Sequence, residues 1–172
     1  MKTMKNNSRL SVIICCFFLT ISLNAQTLGY VDTQAIVQEM PEVKEANANI
    51  ETFRNQLMKK GKDKLAALQN KYAELEKKQS RGEISPLQLD EQGAKLESEK
   101  QELIKFEQES QQNILSKSEK LLKPLRDRIQ SAIDQVAAEN GYTYIFDYST
   151  GFLLYADQSV DVGNLVRAKL GM

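Results

Sequence analysis

The sequence predicts a mostly α-helical protein with a small β body, from which a long antiparallel coiled-coil helical hairpin projects. Three observations carry that expectation. Residues 41–140 are rich in Lys, Glu, Gln, Ala and Leu, with apolar positions spaced by three and four. One stretch, "KKQSRGEISPLQ", interrupts the pattern. Short β-branched or aromatic runs lie only near the two ends of the mature chain, at Leu28–Val31 and within "GYTYIFDYSTGFLLYADQSVDV".

The first residues, "MKTMKNNSRLSVIICCFFLTISLNAQ", place Lys2, Lys5 and Arg9 ahead of an apolar run from Leu10 to Leu23, closed by Ala25. A charged start, a short apolar run and a small residue make a secretory signal peptide, cleaved near Ala25. The run falls short of the ~20 residues a membrane-spanning helix needs. Cys15 and Cys16 follow Ile14 and Cys15 rather than a small residue, so a lipidated anchor is not expected. Both cysteines leave with the leader, and the mature chain has no Cys, His or Trp. Disulfide and thiol chemistry are therefore excluded. Three of the 23 basic residues lie in the leader, leaving 20 against 23 acidic ones and a net charge of −3. That balance gives no electrostatic reason to expect nucleic acid.

In the mature chain, Leu28–Val31 reads as a strand and Asp32 as the cap of a short helix through Met40. Pro41 suits the first turn of the next helix. Its seam runs through Val43, Ala46, Ile50, Phe53 and Leu57, then Leu65, Leu68, Tyr72 and Leu75. Between Leu57 and Leu65 the steps are four and four through Gly61, a stutter that unwinds the supercoil locally. Gly82 marks the end of this helix, and Ser85-Pro86 opens the returning one. The second helix runs from Pro86 to about Asn140, with Leu89, Leu96 and Leu103 at intervals of seven. Its seam then passes through Phe106, Ser110, Ile114, Ser118 and Leu121 to a denser apolar root. Pro124 lies inside it and is expected to act, with Gly61, as a hinge.

After Asn140-Gly141, "YTYIFDY" and "FLLYA" read as two strands of a hairpin joined by "STG". Tyr142, Tyr144, Phe146 and Tyr148 would share one face. A final helix, Val162–Leu170, would be capped by Asp161 and bury Leu165, Val166 and Leu170. Both faces of the hairpin are apolar in large part, more than one helical layer of the same chain would cover. Self-association follows as the expectation, with a monomer covered by helix on both faces as the alternative. Tyr30, Val31, Tyr144, Phe146, Phe152 and Leu154 are the candidate oligomerisation residues. The division is then residues 1–25 as leader, 26–40 and 125–172 as the β-containing body, and 41–124 as the arm, with its tip at about 77–88.

No catalytic set emerges. Acidic residues stand four from Lys on exposed helix faces, the pattern of a solvated helix. No Gly-rich phosphate loop is present. An enzyme is not expected, nor any cofactor or metal. Lys77, Lys78 and Arg81 gather at the arm tip, where they would meet an acidic client or a membrane surface, or simply favour a helix C-terminus.

The order of these pieces resembles the Skp/OmpH-like family of periplasmic chaperones. The resemblance rests on the leader, "LGYVDTQAIVQEMPE", the charged hairpin, and the ending "AAENGYTYIFDYSTGFLLYADQSVDVGNLVRAKLG". It implies a jellyfish-like homotrimer, in which three chains build a β-barrel base and three arms enclose a cavity. It also implies a periplasmic holdase that works without ATP, binding unfolded outer-membrane β-barrel proteins and preventing their aggregation, with room for peripheral membrane contact. Members of the family are often basic, and this chain is not. An envelope coiled-coil adaptor that binds one folded partner is the alternative.

Overall fold

The computed structural model describes residues 27–172. The leader, and the expected cut near Ala25, lie outside the described residues.

Strand β1 spans Leu28–Val31 and leads directly into helix α1, Thr33–Glu39. Asp32 caps α1, its Oδ1 accepting the Ala35 N–H at 2.9 Å. Met40 is extended, which breaks the helix before Pro41 starts α2, Pro41–Ser80. Gly82 then takes a left-handed φ of +68°, and Ser85 opens α3, Pro86–Asn140. Ser85 and Gln88 form a reciprocal capping box: Ser85 Oγ accepts the Gln88 N–H, and Gln88 Oε1 accepts the Ser85 N–H. Both long helices thus begin and end where local signals place them. The 40 residues of α2 span about 60 Å at 1.5 Å per residue. Pro124 sits within the unbroken α3, where its ring nitrogen cannot donate to the Lys120 carbonyl.

The root holds the main core. Val31, Ile36, Met40, Val43, Ile129, Ala132, Val136, Val162, Val166 and Leu170 form one buried cluster drawn from both ends of the chain. Leu68, Leu96 and Leu103 form a second cluster far out along the arm, with Leu75 against it. Between the two, Phe53, Leu57, Phe106 and Ile114 are only half-buried. Leu65 and Tyr72, expected in the seam, are exposed. The four-residue steps through Gly61 fall within this loosely packed stretch.

Strand β2 is Tyr144–Asp147 and pairs with β1 in parallel, Leu28 opposite Tyr144 and Tyr30 opposite Phe146. A parallel pair needs a long crossover, and α1 to α3 supply it. The other edge of β1 carries a single bridge, Tyr30 to Asp161, with the Val162 N–H donating to the Tyr30 carbonyl at 2.9 Å.

Two expectations about the aromatic ending are corrected. The terminal hairpin does not form, because Phe152–Ala156 is not a strand of this sheet. Asp147 Oδ1 instead accepts the Ser149 N–H and turns Tyr148–Thr150 into a short 3₁₀ turn. Gly151, at φ +75°, then carries the chain away from β2. The strand is also shorter than expected, and Tyr142 precedes it and packs inward on the core rather than joining the outer aromatic face.

The final helix, α4, is Gly163–Leu170, with Asp161 Oδ1 accepting the Gly163 N–H at 2.7 Å. Its buried positions are Gly163, Val166 and Leu170. Leu165, expected to be buried, faces outward, because the three-and-four spacing from Gly163 skips it.

Candidate assembly and client-binding surfaces

The small sheet has two unlike faces. Gly29, Val31 and Ile145 turn toward the root core. Leu28, Tyr144, Phe146 and Tyr148 are exposed on the other side, beside the half-buried Tyr30. Their rings associate: Tyr144 and Phe146 stack with centroids 6.2 Å apart, and Tyr30 lies 5.5 Å from Tyr148. Burial first, then the carboxylates of Asp161 and Asp157 and the neighbouring Tyr148, push the Tyr30 phenol above its ordinary range. Of the candidate oligomerisation residues, Tyr30, Tyr144 and Phe146 share this face. Val31 does not; it is 1% exposed in the chain's own core.

Phe152 and Leu154 lie beyond the turn, 92% and 93% exposed, with Tyr155 at 80%. Among the described residues nothing covers them, and β2 pairs only with β1. A bare apolar segment thus follows directly on a sheet with an unpaired edge.

This surface is held in place from behind. Asp147, at the end of β2, accepts from Thr33 Oγ1 at 2.7 Å and from the Thr33 N–H at 3.3 Å. Burial raises its carboxyl, but the bonds from Thr33 and Ser149 outweigh that and hold it below the usual carboxylate range. The result is an anion at the N-terminus of α1, where the helix dipole favours it. Arg128 of α3 donates to Glu42 of α2 at 2.8 Å and to the Leu170 carbonyl at 2.6 Å, joining three helices. Lys169 reaches Glu139 at 2.7 Å.

Along the arm, Met58, Leu65, Tyr72, Leu87, Ile104 and Leu115 are large apolar side chains left exposed among charges. Midway, a cleft opens between α2 and α3 around Gly61 and Ser110. Lys64 lies over the Phe106 ring and Lys117 over the Phe53 ring. Among the described residues there is no cluster of acidic side chains placed to hold a metal, and no helix long and apolar enough to cross a membrane.

A family model, outer membrane protein (OmpH-like), matches residues 27–170, nearly the whole described chain. The chain belongs to the OmpH-like family. No curated protein matches it. Among solved structures it is similar to a proposed outer membrane chaperone (OmpH-like) from Caulobacter crescentus CB15, with a TM-score of 0.71 at 19% identity. The match covers 84% of this chain and 83% of that one, and at such low identity it speaks for the shared fold.

In this OmpH-like chain the tip cations do not stand alone. Lys78 is 2.9 Å from Glu74, and Arg81 is 3.8 Å from Glu83, which reduces the positive field they present. The two candidate hinges differ in setting. A Cβ at Gly61 would meet only Phe106, at 3.7 Å, whereas Pro124 is exposed just above the Arg128 junction. Sequence reasoning missed the Thr33–Asp147 lock and the Arg128 junction. "DYST" does carry the signal of an Asp-initiated turn, but alternating aromatics around it read more strongly as strand.

Proposed function

We propose that this OmpH-like chain is a periplasmic, ATP-independent holdase chaperone. Copies of the chain associate through the body, most simply as a homotrimer. The arms then enclose unfolded outer-membrane proteins and keep them from aggregating. The observation that carries this reading is the bare segment Phe152–Tyr155 beside the unpaired edge of β2. Such a surface is unfavourable on a lone chain and is satisfied when another copy covers it.

The arm supplies the second half of the mechanism. Its exposed apolar side chains stand among Lys and Glu singly or, at Met58 and Leu65, as a pair, so each contact with a client is weak and quickly exchanged. A chain held by many such contacts is shielded without being forced into one conformation. The half-buried middle of the hairpin lets arms adjust to clients of different bulk. Family membership supports a chaperone role, and the match to the Caulobacter protein supports the same architecture.

The test dilutes a urea-unfolded outer-membrane β-barrel into buffer containing the mature protein, without nucleotide, and follows light scattering. Near-stoichiometric trimer is expected to suppress the scattering. Unchanged scattering, together with recovery of a single folded partner from envelope extracts, would favour the adaptor reading instead.

A further inference from the structure

The cleft midway along the arm has a volume of about 310 Å³ and walls of Leu57, Met58, Leu65, Phe106 and Ile114. It stays open at Gly61, which contributes no side chain and where a Cβ would meet only Phe106. It lies between the buried Ile50 and the distal Leu68–Leu96–Leu103 cluster, and the apolar side chains of its own walls are only half-buried or exposed. Ser110 is the one buried residue of its lining, 9% exposed, and its Oγ is shielded from solvent without a hydrogen-bond partner. A buried hydroxyl of that kind is unfavourable until something completes it.

We propose that this cleft is a receptor for one tyrosine side chain of an extended polypeptide; as a client contact it rests on the holdase reading above. An aromatic ring fits walls made of Phe106 and the Met58 thioether, which favour a ring as neighbour. The volume suits a ring rather than a methyl-sized group. A phenolic hydroxyl can donate to or accept from Ser110 Oγ once the ring has entered between the helices. A phenylalanine or leucine side chain would fill the space and leave Ser110 unpaired.

The experiment uses the mature protein with its methionine methyls labelled, the Met58 signal being assigned with Met58→Leu. N-acetyltyrosinamide and N-acetylphenylalaninamide are titrated as probes. The Met58 methyl is expected to shift saturably with both, with the tyrosine probe tighter by about two- to tenfold, the worth of one hydrogen bond. Ser110→Ala should abolish that preference while leaving helix melting unchanged or raised. Gly61→Leu, which fills the cleft, should abolish both shifts. Equal affinities in the unaltered protein, a preference that survives Ser110→Ala, or a melting loss in Ser110→Ala would each overturn the proposal. The holdase reading fails or stands separately. Scattering suppressed with no saturable shift removes the cleft alone, whereas a saturable shift without suppression keeps the cleft and removes the holdase.

Discussion

Arg167 in α4 grips Glu39 at the end of α1 through two parallel bonds, Nε to Oε2 at 2.7 Å and Nη2 to Oε1 at 2.9 Å. The two residues are 128 positions apart, so the pair closes the body across nearly the whole chain. The hydrogen bond from Arg167 holds the Glu39 carboxyl below its ordinary range, and Glu39 in turn raises the Arg167 guanidinium. The pair is solvent-accessible, so its contribution is screened and modest. Arg167→Leu is expected to lower the melting midpoint slightly at low salt, with the difference shrinking in high salt. A salt-independent loss would mean that the guanidinium acts through packing.

The Thr33–Asp147 lock should show in the pH dependence. Asp147 lies below its ordinary 3.8 in the folded chain, so the unfolded chain takes up the proton first as pH falls. The stabilisation is fully present above about pH 3.8 and is lost as pH drops through the depressed folded value. Asp147→Asn should cost about 1–2 kcal/mol near neutral pH, since an amide cannot accept from all of its present donors. The difference between mutant and unaltered protein should close in acid. Urea unfolding followed by circular dichroism across that range measures it.

Two glycines should respond in opposite directions. A Cβ on Gly29 would stand 3.0 Å from Val162 Cγ1 and 3.1 Å from Tyr142 Cε1. Gly29→Ala is therefore expected to cost about 1–3 kcal/mol through overpacking of the root. Gly93 sits in the interior of α3 with nothing within 4 Å of such a Cβ. Gly93→Ala should stabilise the arm by up to about 1 kcal/mol. Thermal melts of the two variants distinguish these outcomes directly.

The exposed apolar residues of the arm carry the client contacts in this account. Replacing Met58, Leu87 and Leu115 together with Ser should change the unfolding free energy by no more than about 0.5 kcal/mol per site. The amount of protein needed to suppress aggregation should rise several-fold. Full activity in the triple variant would place the contacts elsewhere.

How far the chain could be read from its sequence depends on how local each signal was. Ser85-Pro86 and Asn140-Gly141 marked both ends of α3, because a cap is set by residues within one turn. The spacing of Leu96 and Leu103 led to the distal cluster for the same reason. That Leu28–Val31 and the aromatic ending build one body was also legible, since the β-branched and aromatic runs lie only at the two ends of the mature chain. Phe152–Ala156 was not, because a strand is defined by its neighbour, and alternation alone does not name one. Leu165 misled because apolarity in a short helix does not fix which face is buried. Ser110 was visible only as a polar place in the seam, since its isolation depends on which groups of the facing helix come near it.

The central claim is that the aromatic face and Phe152–Tyr155 are covered by other copies of the chain, which gathers the arms. Sedimentation equilibrium of the mature protein tests this most directly, with Leu154→Asp run beside it. The account predicts a mass three times that of one chain, falling to that of a single or unfolded chain in the variant. A monomeric mass for the unaltered protein, or an unchanged mass in Leu154→Asp, would contradict it.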